Sequence, residues 1–171
     1  MTETLINKVA ESGIITIDLE KYFPEEDVVL FDLKDYLFMG LILKEKEFRQ
    51  SLKDLDKLIF HNKHVAVFCT ADAIIPMWAY MLVASSIKQV CLTVSYGGQE
   101  EVNQKLLIQN IRKIDPESYS GKRVVIKGCG EKSISEEAYL TITDILLPVA
   151  QSIMYGEPCS TVPVYKKKST E

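Results

Sequence analysis

The sequence predicts an α/β fold, a single domain built on a mixed, mostly parallel sheet with helices on both faces. Two observations predict it. Short β-branched runs alternate with longer amphipathic stretches through most of the 171 residues, as βαβ units require. Val65-Ala66-Val67-Phe68 is apolar without a break, the mark of a parallel strand covered on both sides. A chain of this length buries a sizeable core unaided. Residues 1–171 read as one domain, with a flexible basic tail over 166–171, and no internal repeat or linker is visible.

The elements follow in order. Leu5, Ile6, Val9 and Ala10 recur at helical spacing, and Ser12-Gly13 closes that segment. Ile14 to Leu19 and Val28 to Leu33 read as strands, and the turn-like stretch between them suits a hairpin or an edge pair. Leu41 to Leu58 has helical spacing, with Leu43, Phe48, Leu52 and Leu55 on its apolar side. After His61-Asn62-Lys63 and the apolar strand, Ile74 to Ile87 is a strongly apolar helix, with Asp72 as its N-cap and Pro76 near its start. Val90 to Val94 is the next strand, with Cys91 inside it as core. Glu100 to Ile114 is a polar amphipathic helix, and Arg123 to Lys127 a strand. The last helix is capped by Ser135, kinked at Pro148 and ended by Gly156-Glu157-Pro158-Cys159, with a short edge strand over Thr161 to Tyr165.

Composition narrows the function. A chain that is 47% hydrophobic and 26% charged is an ordinary globular protein. Its net charge of -4 argues against nucleic-acid binding, which needs a basic face. Lys166-Lys167-Lys168 reads as a solvated run. No apolar stretch approaches the roughly 18 residues of a membrane span, and the N-terminus lacks a signal-peptide pattern. A cytoplasmic location is expected, with the four cysteines as thiols.

Ligands of parallel α/β sheets gather outside the carboxyl ends of the strands. Cys69 and Cys129 both follow apolar strands, and Cys159 follows the last helix. Three thiolates suit zinc, iron or an iron–sulfur cluster, with Asp72, Glu157 or water as fourth ligand. Gly128 and Gly130 would leave N–H groups around the Cys129 sulfur, which favours a thiolate. Against this, no CxxC pair is present and free cysteine commonly packs as a small hydrophobe. A helix running from Ser135 to Gly156 would also carry Cys159 to the opposite edge of the sheet. His61 and His64 lie before the Cys69 strand, a strand length from its cysteine, and read as surface residues. Asp18, Asp32 and Asp35 read as turn formers. Trp78, Tyr80 and Met81 read as core, or as an interface if one face proves too apolar for a monomer.

The segments SGIITIDLE, LILKEKEFR, CTADAIIPMWAYML, VVIKGCG and SIMYGEPCSTVPVYK together resemble a bacterial family, domain of unknown function 2480, found mainly in Bacteroidetes. The resemblance spans almost the whole chain. It implies a genomic neighbourhood beside the sulfur-mobilisation genes of iron–sulfur cluster assembly. The matching segments contain Cys69, Cys129 and Cys159 but not Cys91. At the level of fold alone, CTADAIIPMWAYML also resembles part of the STAS-type regulatory domains, which bind partner proteins.

The leading expectation is a cytoplasmic, non-catalytic accessory protein. It would bind zinc or iron through Cys69, Cys129 and Cys159 and serve iron–sulfur cluster assembly. One alternative is a metal-free interaction module whose Ile74–Ile87 helix binds a protein partner or a second copy in a homo-oligomer. Another is a sulfur-handling enzyme with a persulfide on Cys129.

Overall fold

The computed structural model describes residues 13–128, 130–157 and 159–168. The expected helix over Leu5 to Ala10 lies outside them. The strands are β1 (Ile14–Asp18), β2 (Val28–Asp32), β3 (His64–Phe68), β4 (Thr93–Tyr96), β5 (Arg123–Lys127), β6 (Ser152–Glu157) and β7 (Ser160–Lys166). The α-helices are α1 (Glu45–Asp54), α2 (Met77–Ile87), α3 (Gln99–Ile111) and α4 (Glu136–Leu146). The α/β class and the mostly parallel pairing stand. The strands, however, divide between two sheets, ordered β1-β5-β6-β7 and β2-β3-β4, and only β6 with β7 runs antiparallel. No described helix is long and apolar enough to cross a membrane.

Each sheet belongs to its own compact unit. The inserted unit runs from Pro24 to Asn103, and the flanking unit comprises the chain up to Phe23 and from Gln104 on. Each unit has a separate core. Phe31, Phe48, Phe60, Val65, Val67 and Ile87 anchor the inserted one, and Ile17, Leu107, Val124, Ile126, Ile142 and Leu146 anchor the flanking one.

The two units are copies of one plan. Residues of the inserted unit find their counterparts at a constant displacement of 59: β3 begins at His64 and β5 at Arg123, α2 at Met77 and α4 at Glu136. The hydrogen bond from Asn62 N–H to the Val90 carbonyl recurs as Gly121 to Val149, and that from Leu92 to Lys63 as Gln151 to Lys122. Gly97 and Gly156 both take positive φ, at 125° and 117°. Many buried side chains correspond, among them Phe48 with Leu107, Val83 with Ile142 and Cys91 with Ala150. The first strands match at a shorter displacement, Val28–Asp32 against Ile14–Asp18. An internal repeat is therefore present where none is visible in the sequence, because the positions agree in burial and conformation and seldom in residue identity.

Local chemistry sets the boundaries. Asp18, Asp32, Asp56 and Asp115 each accept a hydrogen bond from the N–H two residues on. This Asx turn converts a chain leaving an element into one 3-10 turn. Asp18 and Asp32 thus stop β1 and β2, and the next residue, Leu19 or Leu33, is driven into the core. Asp56 opens the turn Lys57–Phe60, which is why α1 is shorter than the apolar spacing suggests. Pro76 precedes the first residue of α2, so the helix starts at Met77 and Asp72 caps nothing.

Several expectations change. β1 and β2 form no hairpin but lie in different sheets, each parallel to a later strand. Val90 and Cys91 form no strand, since their N–H groups both return to the Ile87 carbonyl. Cys91 is nonetheless core. Pro148 ends the last helix instead of kinking it, because its ring has no N–H to donate and crowds the preceding turn. The residues freed by that stop form β6.

Candidate functional site

The extra strand β6 repositions the late cysteine. β6 runs parallel to β5, with Ile126 opposite Tyr155. The chain therefore returns to the carboxyl edge of β5, and Cys159, exposed, emerges on the same sheet edge from which the Gly128–Gly130 loop departs. The geometric objection to Cys159 came from a helix that ends ten residues earlier than expected. Cys129 lies outside the described residues. Cys69 leaves the carboxyl end of β3 in the other unit, half-buried, with its sulfur 3.7 Å from the Ala71 carbonyl oxygen. At the displacement of the repeat, Cys69 matches Gly128.

The proposed fourth ligands differ in availability. Glu157 is engaged by Lys127, whose ammonium lies 3.5 Å from it and 3.6 Å from Asp18. These two carboxylates, Glu157 first, hold the Lys127 pKa above its ordinary value. Asp72 is exposed in the loop after Cys69. Among the described residues, no three His, Cys, Asp or Glu side chains gather as a metal-ligating group.

Gly128 and Gly130 have packing reasons as well. A Cβ on Gly128 would lie 2.7 Å from the Tyr139 hydroxyl and 2.9 Å from Ile134. One on Gly130 would overlap the Glu20 carboxylate. The loop is thus built around Tyr139 and Glu20, two residues with no signal in the sequence.

Both units carry an edge-to-face tyrosine pair at the carboxyl edge. Tyr80 and Tyr96 have ring centroids 5.7 Å apart, and Tyr139 and Tyr155 repeat the arrangement at the same distance. Burial, then the neighbouring Tyr96 and Cys69, push the Tyr80 pKa up. His64 is buried at the amino end of β3, not on the surface. Its Nδ1 lies 2.8 Å from the Thr93 hydroxyl and its Nε2 3.6 Å from Glu26, at the far end of the strand from Cys69.

Asp32 ties the end of β2 to the loop after β3. Its carboxylate accepts from the Lys34 N–H at 2.9 Å, the Thr70 N–H at 3.1 Å and the Thr70 hydroxyl. Burial alone would raise its pKa, but the Thr70 and Lys34 hydrogen bonds and the Lys34 charge hold it below the ordinary value. A lowered carboxylate stabilises the fold above the unfolded-state pKa, and that contribution is lost as pH falls through the folded one. Asp32→Ala is expected to cost about 1 kcal/mol at pH 7, as for a lost cap. In urea unfolding, the difference from wild type should shrink toward pH 3.

Thiol reactivity should follow exposure among the described cysteines. Cys159 alkylates first and Cys69 next. Cys91, whose thiol pKa burial pushes up, should react about tenfold or more slowly. Mass-resolved alkylation of the native protein checks the order.

The chain matches none of the curated proteins and none of the solved structures compared with it. One family model matches residues 3–167, that of a protein of unknown function, DUF2480, and the chain belongs to this family.

Proposed function

We propose that the protein is a non-catalytic interaction module whose contact surface is the outer face of α2. One observation carries this reading. Ile74, Met77 and Met81 are 93%, 72% and 71% exposed, on and just before a helix with no charged residue. A spacing of four residues places Met77 and Met81 on one stripe of the helix, and Ile74 lies in the extended segment just before it. Trp78 and Tyr80 turn inward against the core, so the helix already has its buried face and the stripe is a second apolar one. Contiguous exposed apolar surface of this kind marks protein contact sites. The test is a photo-crosslinking residue at position 81 in living cells. A discrete adduct at 81, and none from the same residue at Lys53, supports the reading. No adduct at 81 overturns it.

A second reading is the expected zinc or iron site, narrowed to Cys129 and Cys159 of the flanking unit and serving iron–sulfur cluster assembly. The return of the chain through β6 favours it, since Cys159 then shares an edge with the loop that contains Cys129. Elemental analysis of anaerobically purified protein tests it. Near-stoichiometric metal lost in the Cys129→Ser/Cys159→Ser variant supports the site, and metal-free protein rejects it.

A further inference from the structure

The two copies of the repeat differ at one edge. In the flanking unit, β7 lies antiparallel along β6 and forms the outer edge of the sheet. That edge is blunted in three ways that prevent further pairing: Pro163, Lys166 and a register break at Ile153/Met154. In the inserted unit, β4 pairs with β3, and no strand lies beyond it among the described residues. Thr93-Val94-Ser95-Tyr96 has no proline and no charge, and its register on β3 is unbroken.

The exposed methionines have counterparts beside the covered edge. In the flanking unit a cavity of about 460 Å³ is walled by Glu136 and Leu140 of α4, Met154 and Tyr155 of β6, and Val164 of β7. The counterparts in the inserted unit are Met77, Met81, Ser95 and Tyr96, and Val164 has none. Beside β7 the counterpart of Met81, Leu140, is still 67% exposed, so β7 contributes Val164 as one wall of the cavity without covering it. A methionine occupies the open position whose counterpart beside β7 is a glutamate.

Resting on the interaction reading above, we propose that the partner of this face is a second copy of the chain, joined through β4. A two-fold axis makes the two β4 strands antiparallel, the direction that β7 takes on β6, and continues the three-stranded sheet across the dimer. An isologous contact brings each patch against itself. Because β4 and α2 contain no charged residue, the patch meets its copy without like-charge repulsion, and Met77 and Met81 of one copy cover those of the other.

Sedimentation velocity on the full chain over 1–300 µM (on the order of the usual range for dimers of modest interface) tests the proposal, with peroxide oxidation of Met77 and Met81 read at each concentration. Wild type is expected to dimerise, and both methionines should become protected as it does. Met81→Glu should weaken association at least tenfold, while Met81→Leu, the residue of the other repeat, retains it. A monomer throughout, with Met77 and Met81 oxidising as fast as free methionine, overturns the second copy but leaves an exposed contact face for another partner. A monomer in which both are protected overturns the face as well.

Discussion

Gly156→Ala is expected to lower stability by about 3–4 kcal/mol, the sum of a strained backbone and an overlap with rigid main chain. Gly156 has φ 117°, a conformation that side chains avoid. An added Cβ would lie 2.6 Å from the Ser160 carbonyl oxygen. That oxygen belongs to β7, held by the β6–β7 ladder, so it cannot withdraw without opening the hairpin. The counterpart in the other repeat gives the control. Gly97 has φ 125°, but its added Cβ would meet the Glu101 carboxylate at 2.7 Å, the end of a flexible side chain. Gly97→Ala should therefore cost about 1 kcal/mol less: the strain remains, rotation takes the carboxylate away from its 2.7 Å hydrogen bond with the Gly98 N–H, and only the Glu101 Cβ at 3.1 Å stays close. Chemical denaturation of both variants measures the difference. Equal losses would mean that β7 does not hold Ser160 in place.

Phe48→Ala should cost about 3–5 kcal/mol, in the range for a large ring removed from a core that cannot close around the gap. Phe48 is buried beneath α1, with its ring edge-on to Tyr36 at 5.2 Å and tilted to Trp78 at 6.4 Å. Tyr36 in turn stacks on Phe31, and Phe31 touches Phe60. Removing the central ring leaves a cavity bounded by three elements. Leu107 fills the same position in the core of the other repeat. Leu107→Ala should fall in the lower part of the range for leucine, about 2–3 kcal/mol. Thermal unfolding followed by tryptophan fluorescence reads the first directly through Trp78.

Much of the fold was legible because several strands announce themselves. β3 and β5 are unbroken apolar runs, and β1 and β2 are β-branched runs closed by aspartate. What escaped has specific causes. The apolar pattern runs on through Val149 and Ala150 to Ile153 and Met154, so the strand Ser152–Glu157 was absorbed into the helix, although Pro148 stood between them. The repeat escaped because Cys69 matches Gly128 and Met77 matches Glu136: chemistry diverges where burial and backbone agree. The division into two sheets could not be read at all, since β1 pairs with β5 across more than a hundred residues of chain. For the site, positions of Cys69 and Cys159 at strand ends were legible once β6 is counted. The packing roles of Gly128 and Gly130, set by Tyr139 and Glu20, depend on tertiary contacts that carry no local signal. Met81 was readable only as core or interface, and exposure decided between them.

The most direct test of the account compares hydrogen exchange in the two copies of the repeat. Peptides covering Thr93–Tyr96 and Ser152–Glu157 are followed by mass spectrometry in dilute and in concentrated protein. The open edge predicts that β4 exchanges faster than β6 when dilute, because β6 has a strand on each side and β4 on one. With β4 on the sheet edge among the described residues, β4 should slow at least tenfold on concentration while β6 is unchanged. Exchange at β4 as slow as at β6 in dilute protein, with no dependence on concentration, would contradict the open edge and the surface built on it.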